Sequence, residues 1–229
     1  MKNIYSVIVA GGSGSRMKSV IAKQFLPLRN KPILSHTIEK FLAIDGNQIV
    51  VVLPKSDLIF WDEIIQSNKT LKQALLQGRI KSAIGGETRF QSVQNGLNVI
   101  DSKEGLVAIH DGVRPLVSVE KILEAFAEAE EENCAVLSVP SKDSIRKENS
   151  DGSNEIVDRN QIKLIQTPQT FSLSLIKAAY EEGEKKHYTD DASVFEAAGH
   201  SIHLIEGEYK NIKITTPEDL VWAEAFLKK

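Results

Sequence analysis

Cysteine is almost absent: Cys134 is the only one in 229 residues, so no internal disulfide can staple the fold. Its neighbours, Cys134-Ala135-Val136-Leu137, form an apolar run. That setting predicts a buried strand residue rather than a reactive thiol, and it suits a reducing compartment. Long hydrophobic runs are also missing. Nothing approaches the roughly 20 apolar residues a membrane helix needs, so no membrane partner is expected. The opening from Met1 to Ala10 is basic and then apolar, but the apolar run spans only about six residues before Gly11-Gly12. A secretory core needs about 7–15 with small residues at the cut, so a first buried strand and a cytoplasmic location are expected instead. Excess charge of either sign is lacking too, with 28 Lys and Arg against 31 Asp and Glu. The net charge of -3 provides no global attraction to nucleic acid. Any phosphate ligand must be gripped by local basic residues. Repeats and low-complexity tracts are absent as well.

What is present suits a soluble globular protein, with 41% hydrophobic and 26% charged residues. The length fits one large α/β domain over residues 1–229. Short β-branched runs alternate with helical patterns. Strands are expected at Tyr5 to Ala10, Ile49 to Leu53, Ile80 to Ile84, Leu106 to His110 and Ala135 to Val139. Helices are expected at Ile33 to Leu42, Asp57 to Gln66, Thr88 to Val99 and Val119 to Glu132, the last apolar at Ile122, Leu123 and Phe126. Continuous apolar strands separated by helices imply a Rossmann-like, mainly parallel sheet with helices on both faces.

The alternation breaks near Pro140. The polar stretch that follows contains Asp151-Gly152, a hairpin-turn signal. Residues 141–165 are expected to form an inserted β-arm, with Ile156-Val157 and Lys163 to Ile165 as its strands; the alternative is a disordered surface loop. Beyond it come helices at Leu173 to Glu182 and Ala192 to Ala198, strands at Ser201 to Ile205 and Asn211 to Ile214, and a closing helix opened by Thr215-Thr216-Pro217.

The first strand runs into Ala10-Gly11-Gly12-Ser13-Gly14-Ser15-Arg16-Met17, with Lys23 following. Three glycines let backbone amides approach a ligand closely, and amides near Arg16 and Lys23 can bind polyphosphate. A dinucleotide loop would need glycine where Met17 stands, and a P-loop would need Gly-Lys-Ser/Thr, which Ser15-Arg16-Met17 does not supply. A tight strand-to-helix turn without ligand remains the structural alternative. His110-Asp111 closes a buried strand, which puts Asp111 at the carboxyl edge where open α/β sheets bind ligands. A carboxylate beside a triphosphate suits Mg²⁺ or its waters, whereas a helix cap or a pair with Arg114 is the other use for it. His110 itself reads as a packed strand-end residue. Lys213, in the alternating Asn211-Ile212-Lys213-Ile214, would on pattern alone point to solvent.

Taken together, the glycine loop and Lys23-Gln24-Phe25-Leu26 resemble the signature of sugar-phosphate nucleotidyltransferases. More closely, they resemble the cytidylyltransferases that act on 2-C-methyl-D-erythritol 4-phosphate. The same resemblance runs through Gly85 to Val93, His110-Asp111-Gly112-Val113-Arg114-Pro115, Val157-Asp158-Arg159-Asn160, Gln166-Thr167-Pro168-Gln169, Thr189-Asp190-Asp191-Ala192-Ser193 and Asn211 to Thr215, in order across nearly the whole chain.

That resemblance implies a homodimeric enzyme using CTP and a small polyol phosphate in the non-mevalonate isoprenoid route, with Mg²⁺ as cofactor. Arg16, Lys23 and Lys213 would be catalytic, the two lysines flanking the α-phosphate. Ala10, Gly11, Gly12, Gly14, Gly86, Glu87 and Ser92 would bind the nucleotide; the family often has Asp where Glu87 stands, which leaves a side-chain role there in question. Asp111, Ser144, Arg159, Thr167 and Thr189 would face the acceptor, Asp111 also serving the metal, and Arg159 would reach in from the neighbouring subunit. Ser144 stands where the family commonly has threonine. Enzymes that make CDP-ribitol from ribitol 5-phosphate share most of these motifs, but Val157 to Asn160 and Thr189 to Glu196 look more like the methylerythritol enzymes. A noncatalytic nucleotide sensor is the alternative from another class, since fold alone does not establish activity.

Overall fold

The computed structural model of the chain describes residues 3–11 and 21–228. Its elements in chain order begin with β1 (Ile4–Val9), a short β2/β3 ribbon (Pro27–Leu28, Lys31–Pro32), α1 (Ile33–Leu42), β4 (Gln48–Leu53), α2 (Leu58–Ser67), α3 (Lys69–Leu76) and β5 (Ile80–Ile84). They continue with α4 (Arg89–Asn98), β6 (Leu106–Asp111), α5 (Val119–Glu132), β7 (Cys134–Pro140), β8 (Ile145–Glu148), β9 (Asn154–Val157) and β10 (Lys163–Ser172). Last come α6 (Leu173–Glu181), α7 (Asp191–Ala197), β11 (Leu204–Glu206) and α8 (Pro217–Phe226).

Among the described residues, seven strands make one sheet in the order β11-β7-β10-β6-β1-β4-β5. β10 runs antiparallel to both neighbours, while every other pairing in the sheet is parallel. The apolar strands are buried because side chains of period two face helices on both sides. Val7 packs with Val50, Val52, Phe90 and Val93. Its neighbour Ile8 faces the opposite layer, with Leu34, Ile38, Val51 and Ile122. Each such fully buried aliphatic side chain contributes about 1.5–3 kcal/mol. At Gly96 the helix α4 comes so close to the sheet that a Cβ would lie 2.7 Å from methyl carbons of both Val7 and Val52.

Topology sets where a ligand can go. The chain passes from β1 to β4 and β5 on one side, then returns to β6 on the other side of β1. The carboxyl ends of β1 and β6 therefore flank a switch point, the usual ligand crevice of an open α/β sheet.

Several expectations need correction. The inserted hairpin pairs β8 with β9, so its strands are Ile145–Glu148 and Asn154–Val157. Lys163 to Ile165, expected to be an arm strand, instead pairs with Pro140, Val139 and Ser138 of β7 as the start of β10. The one expected helix ending at Gln66 is followed by α3, whose first turn Asn68 caps by accepting from the Thr70 and Leu71 amides. Asn211 to Ile214 is not a strand of the sheet; it is held through Ile214 N–H to the Val113 carbonyl. At the other end of the sheet, β11 (Leu204–Glu206) lies beside β7, so only Leu204 and Ile205 of the expected Ser201 to Ile205 strand belong to it. Leu123, expected on the buried stripe of α5, is 49% exposed. Cys134 is fully buried on β7, as its apolar run predicts. Among the described residues, no helix is long and apolar enough to cross a membrane.

Candidate active site

A cavity of about 180 Å³ lies at the switch point. Lys23, Lys213 and Asp111 all line it, together with Ala10, Gly11, Gly86, Glu87, Arg89 and Ser92. Residues nearly two hundred positions apart thus meet in one crevice. Lys23 is delivered by a buried 3-10 turn, Lys23–Phe25, just before the β2/β3 ribbon. Lys213 arrives on the irregular segment that Asn211 anchors: buried Asn211 donates to the Thr167 carbonyl at 2.8 Å, and its own carbonyl accepts from Arg114 at 2.8 Å.

Asp111 is the electrostatic centre. Its Oδ2 lies 3.1 Å from Lys213 Nζ and 3.2 Å from Arg114 Nε, while its Oδ1 lies 3.9 Å from Arg89 Nε. Burial alone would raise its pKa, but the three cations outweigh burial and hold it well below the usual carboxylate range. The carboxylate is therefore ionised at any working pH. Arg114 reaches it because the chain turns back directly after β6, with the Arg114 amide donating to the Asp111 carbonyl.

His110 supports this edge from below. Its ring is fully buried, with Nε2 3.1 Å from the Arg114 carbonyl and Nδ1 3.0 Å from Thr167 Oγ1. A carbonyl only accepts, so Nε2 carries the proton and Nδ1 accepts from the threonine hydroxyl. Burial lowers the His110 pKa to about 4, which keeps this neutral tautomer in place. Thr167 Oγ1 also accepts from the Asp111 amide at 3.1 Å. Thr167 thus braces Asp111 from β10 and is itself buried; it does not line the cavity.

The opposite wall is the β5–α4 corner. The Ser92 hydroxyl donates to the Thr88 carbonyl at 2.9 Å and accepts from Gly86 N–H at 3.1 Å. Glu87 N–H donates to Gln91 Oε1 at 3.0 Å. Gly86 is required by packing: a Cβ there would stand 2.3 Å from Gln91 Cβ. At Ala10 the backbone is already engaged, its N–H donating to the Val52 carbonyl and its carbonyl accepting from Gln24 Nε2 at 2.8 Å. Any base contact at Ala10 is thereby limited to the carbonyl's second lone pair.

A family model for 2-C-methyl-D-erythritol 4-phosphate cytidylyltransferase (IspD) matches residues 4–229. The chain belongs to that family. The enzyme of that name from Bacteroides fragilis is 45% identical over 97% of this chain and 98% of its own. Its namesake from Clostridioides difficile is 42% identical over 98% of this chain and 94% of its own. Among solved structures, the 4-diphosphocytidyl-2C-methyl-D-erythritol synthase of Anaerococcus prevotii superposes with a TM-score of 0.84 at 31% identity, covering 100% of this chain and 97% of that one.

Set against the family motifs, the structure divides the expected site residues. Lys23, Lys213, Asp111, Ala10, Gly11, Gly86, Glu87 and Ser92 come together. Gly12, Gly14 and Arg16 lie outside the described residues. Ser144 and Arg159 are exposed beside the hairpin, and Arg159 Nη1 donates to the Lys142 carbonyl at 2.8 Å. Neither lines the cavity of its own chain. Thr189 lines a neighbouring cavity of about 240 Å³, which shares Thr88 and Arg89 with the first.

Arg89 is the residue that sequence reasoning missed. It forks onto Asp191, Nη1 to Oδ1 at 2.9 Å and Nη2 to Oδ2 at 2.6 Å. Burial pulls its pKa down, but the charge and hydrogen bonds of Asp191 prevail and raise it. Both residues sit inside family motifs, and that was the available signal. Their pairing across 102 positions is a tertiary fact no local pattern carries.

Proposed function

We propose that this chain transfers a cytidylyl group from CTP to 2-C-methyl-D-erythritol 4-phosphate, giving 4-diphosphocytidyl-2-C-methyl-D-erythritol and pyrophosphate. The observation that carries this reading is the shared cavity of Lys23, Lys213 and Asp111 at the switch point, in a chain of this family. An oxygen of the acceptor phosphate attacks the α-phosphorus. That P–O bond forms as the bond to the β-phosphate bridging oxygen breaks, and pyrophosphate departs with its electrons. No general base is needed, because the acceptor phosphate is already anionic near neutral pH. This accords with His110, which is buried and committed to two structural hydrogen bonds.

Lys23 and Lys213 flank the α-phosphate and stabilise the charge that builds on its nonbridging oxygens. Arg16 holds the departing phosphates. The Gly85–Ser92 corner and the backbone at Ala10 and Gly11 hold the cytosine, while Asp111 and Thr189 serve the acceptor side and Thr167 acts there only by bracing Asp111. Mg²⁺ suits this donor set: it binds through one or two carboxylates plus substrate phosphates rather than an all-protein cage. Among the described residues there is no cluster of three His, Cys, Asp or Glu, and the carboxylate that would hold the ion is Asp111. When bound, the ion neutralises phosphate charge.

The working unit is a homodimer in the cytoplasm. Exposed Arg159 and Ser144 reach the acceptor phosphate of the neighbouring subunit, and the hairpin that precedes Arg159 carries Ile156 at 78% exposure. The test is pyrophosphate release from CTP with 2-C-methyl-D-erythritol 4-phosphate and, separately, with ribitol 5-phosphate. Rapid release with the first is expected. Far faster turnover of ribitol 5-phosphate overturns the acceptor assignment, and CTP binding without turnover of either overturns catalysis.

A further inference from the structure

Asp191 is fully buried, and a buried carboxylate is costly unless every lone pair finds a donor. Here the donors are the Arg89 fork and the Tyr180 hydroxyl, which donates to Oδ1 at 2.7 Å. A buried ion pair is weak evidence for stability, since well-packed apolar side chains often do as well. What a bidentate fork does supply is a fixed plane and position for a long side chain.

Two further facts give that fixed position a use. Arg89 forms part of the lining of both cavities, so its side chain stands between Asp111 on one side and the Thr189–Asp190 segment on the other. Its Nε–H, which takes no part in the fork, stops 3.9 Å from Asp111 Oδ1, short of a hydrogen bond. Oδ2 is meanwhile taken by Lys213 and Arg114. The segment behind Arg89 is itself clamped. Gln169 donates to Asp190 Oδ2 at 2.9 Å and accepts from the Ala192 amide at 2.8 Å.

We infer that Asp191 and Tyr180 make Arg89 a positioning residue of this site, holding its guanidinium off Asp111 so that Oδ1 stays open toward the acceptor. Without the fork, the guanidinium swings across the gap and closes on Oδ1 as a direct ion pair. The inference rests on the proposed reaction. It adds that an ion pair outside the reacting centre sets acceptor binding.

The experiment measures KM for each substrate, kcat and thermal stability in Asp191→Asn, Arg89→Lys and Tyr180→Phe. Asn68→Ala, which removes the cap of α3 far from the site, serves as a destabilised control. Asp191→Asn and Arg89→Lys are expected to raise acceptor KM about tenfold or more while CTP KM moves less than about threefold. Tyr180→Phe, which removes a single hydrogen bond, should shift acceptor KM in the same direction by about two- to fivefold. The control should lower Tm and move neither KM. The inference is overturned if the site variants lose Tm like the control without an acceptor-selective effect, or if both KM values rise together. Should Asp191→Asn fail to fold, Tyr180→Phe still decides the matter. An inactive wild-type enzyme would sink the proposed reaction itself, a different failure from an active wild type with unselective variants.

Discussion

The Asp111 cluster and the β8–β9 hairpin use the same kinds of residue to opposite ends. Around Asp111, side chains from β6, the turn after it, α4 and the Asn211–Ile214 segment converge on a carboxylate that is nearly buried. Along the hairpin, Lys147 and Glu155 pair at 3.1 Å while their side chains stay 67% and 58% exposed. In the first region the carboxylate itself is buried, so its contacts with Lys213 and Arg114 are screened less than a surface pair. In the second, solvent screens the pair. The cluster is assembled within one chain. The hairpin segment leaves Ile156 and Arg159 exposed, and the proposed function gives them a use against a second subunit.

Substitutions can break that contrast, beginning with the strongest contact. Lys213→Ala should lower kcat by roughly 10²–10³-fold while CTP binding changes less, measured by steady-state kinetics and calorimetric titration. Equal losses in binding and rate would place Lys213 in ground-state recognition. On the hairpin side, Arg159→Ala should raise acceptor KM by about tenfold or more and leave CTP KM near the wild-type value. Mixed dimers of Lys213→Ala and Arg159→Ala chains sharpen the point. If Arg159 acts across the interface, each mixed pair keeps one intact site and activity returns; no recovery would confine both residues to one chain.

A pH measurement sharpens the contrast from the buried side. The folded pKa of His110 is lowered from 6.5 to about 4, so the unfolded chain takes the proton first as pH falls. Its stabilising contribution is complete above 6.5 and is lost as pH drops toward about 4. Urea unfolding should show that His110→Gln removes roughly 2 kcal/mol of the stability loss between pH 6.5 and about pH 5. An unchanged slope in the variant would contradict the neutral, buried tautomer. The smallest effect belongs to the hairpin: Lys147→Ala should change unfolding free energy by less than about 0.5 kcal/mol, because both partners remain hydrated. A loss above about 1 kcal/mol would mean the hairpin is stabilised like the interior.

The same contrast explains what could be read in advance. Apolar runs such as Ile49 to Leu53 announced the parallel strands, because burial on both faces leaves a purely local mark. β10 escaped because its interior is polar. Gln166, Thr167, Gln169 and Thr170 are buried there, and Gln169 is satisfied by Asp190 and Ala192, far along the chain. Hydropathy registers such a stretch as a loop. Lys213 would have been assigned to solvent on pattern alone; only the family resemblance placed it in the site, and the structure sets it 3.1 Å from Asp111. Arg89 stayed hidden because its meaning lies in a partner 102 residues away.

The most direct measurement is a crystal structure with CTP and Mg²⁺. The α-phosphate should lie between the ammonium groups of Lys23 and Lys213, with the triphosphate in the crevice that Asp111 lines. An α-phosphate bound outside that crevice, or contacted by neither lysine, would contradict the account at its centre.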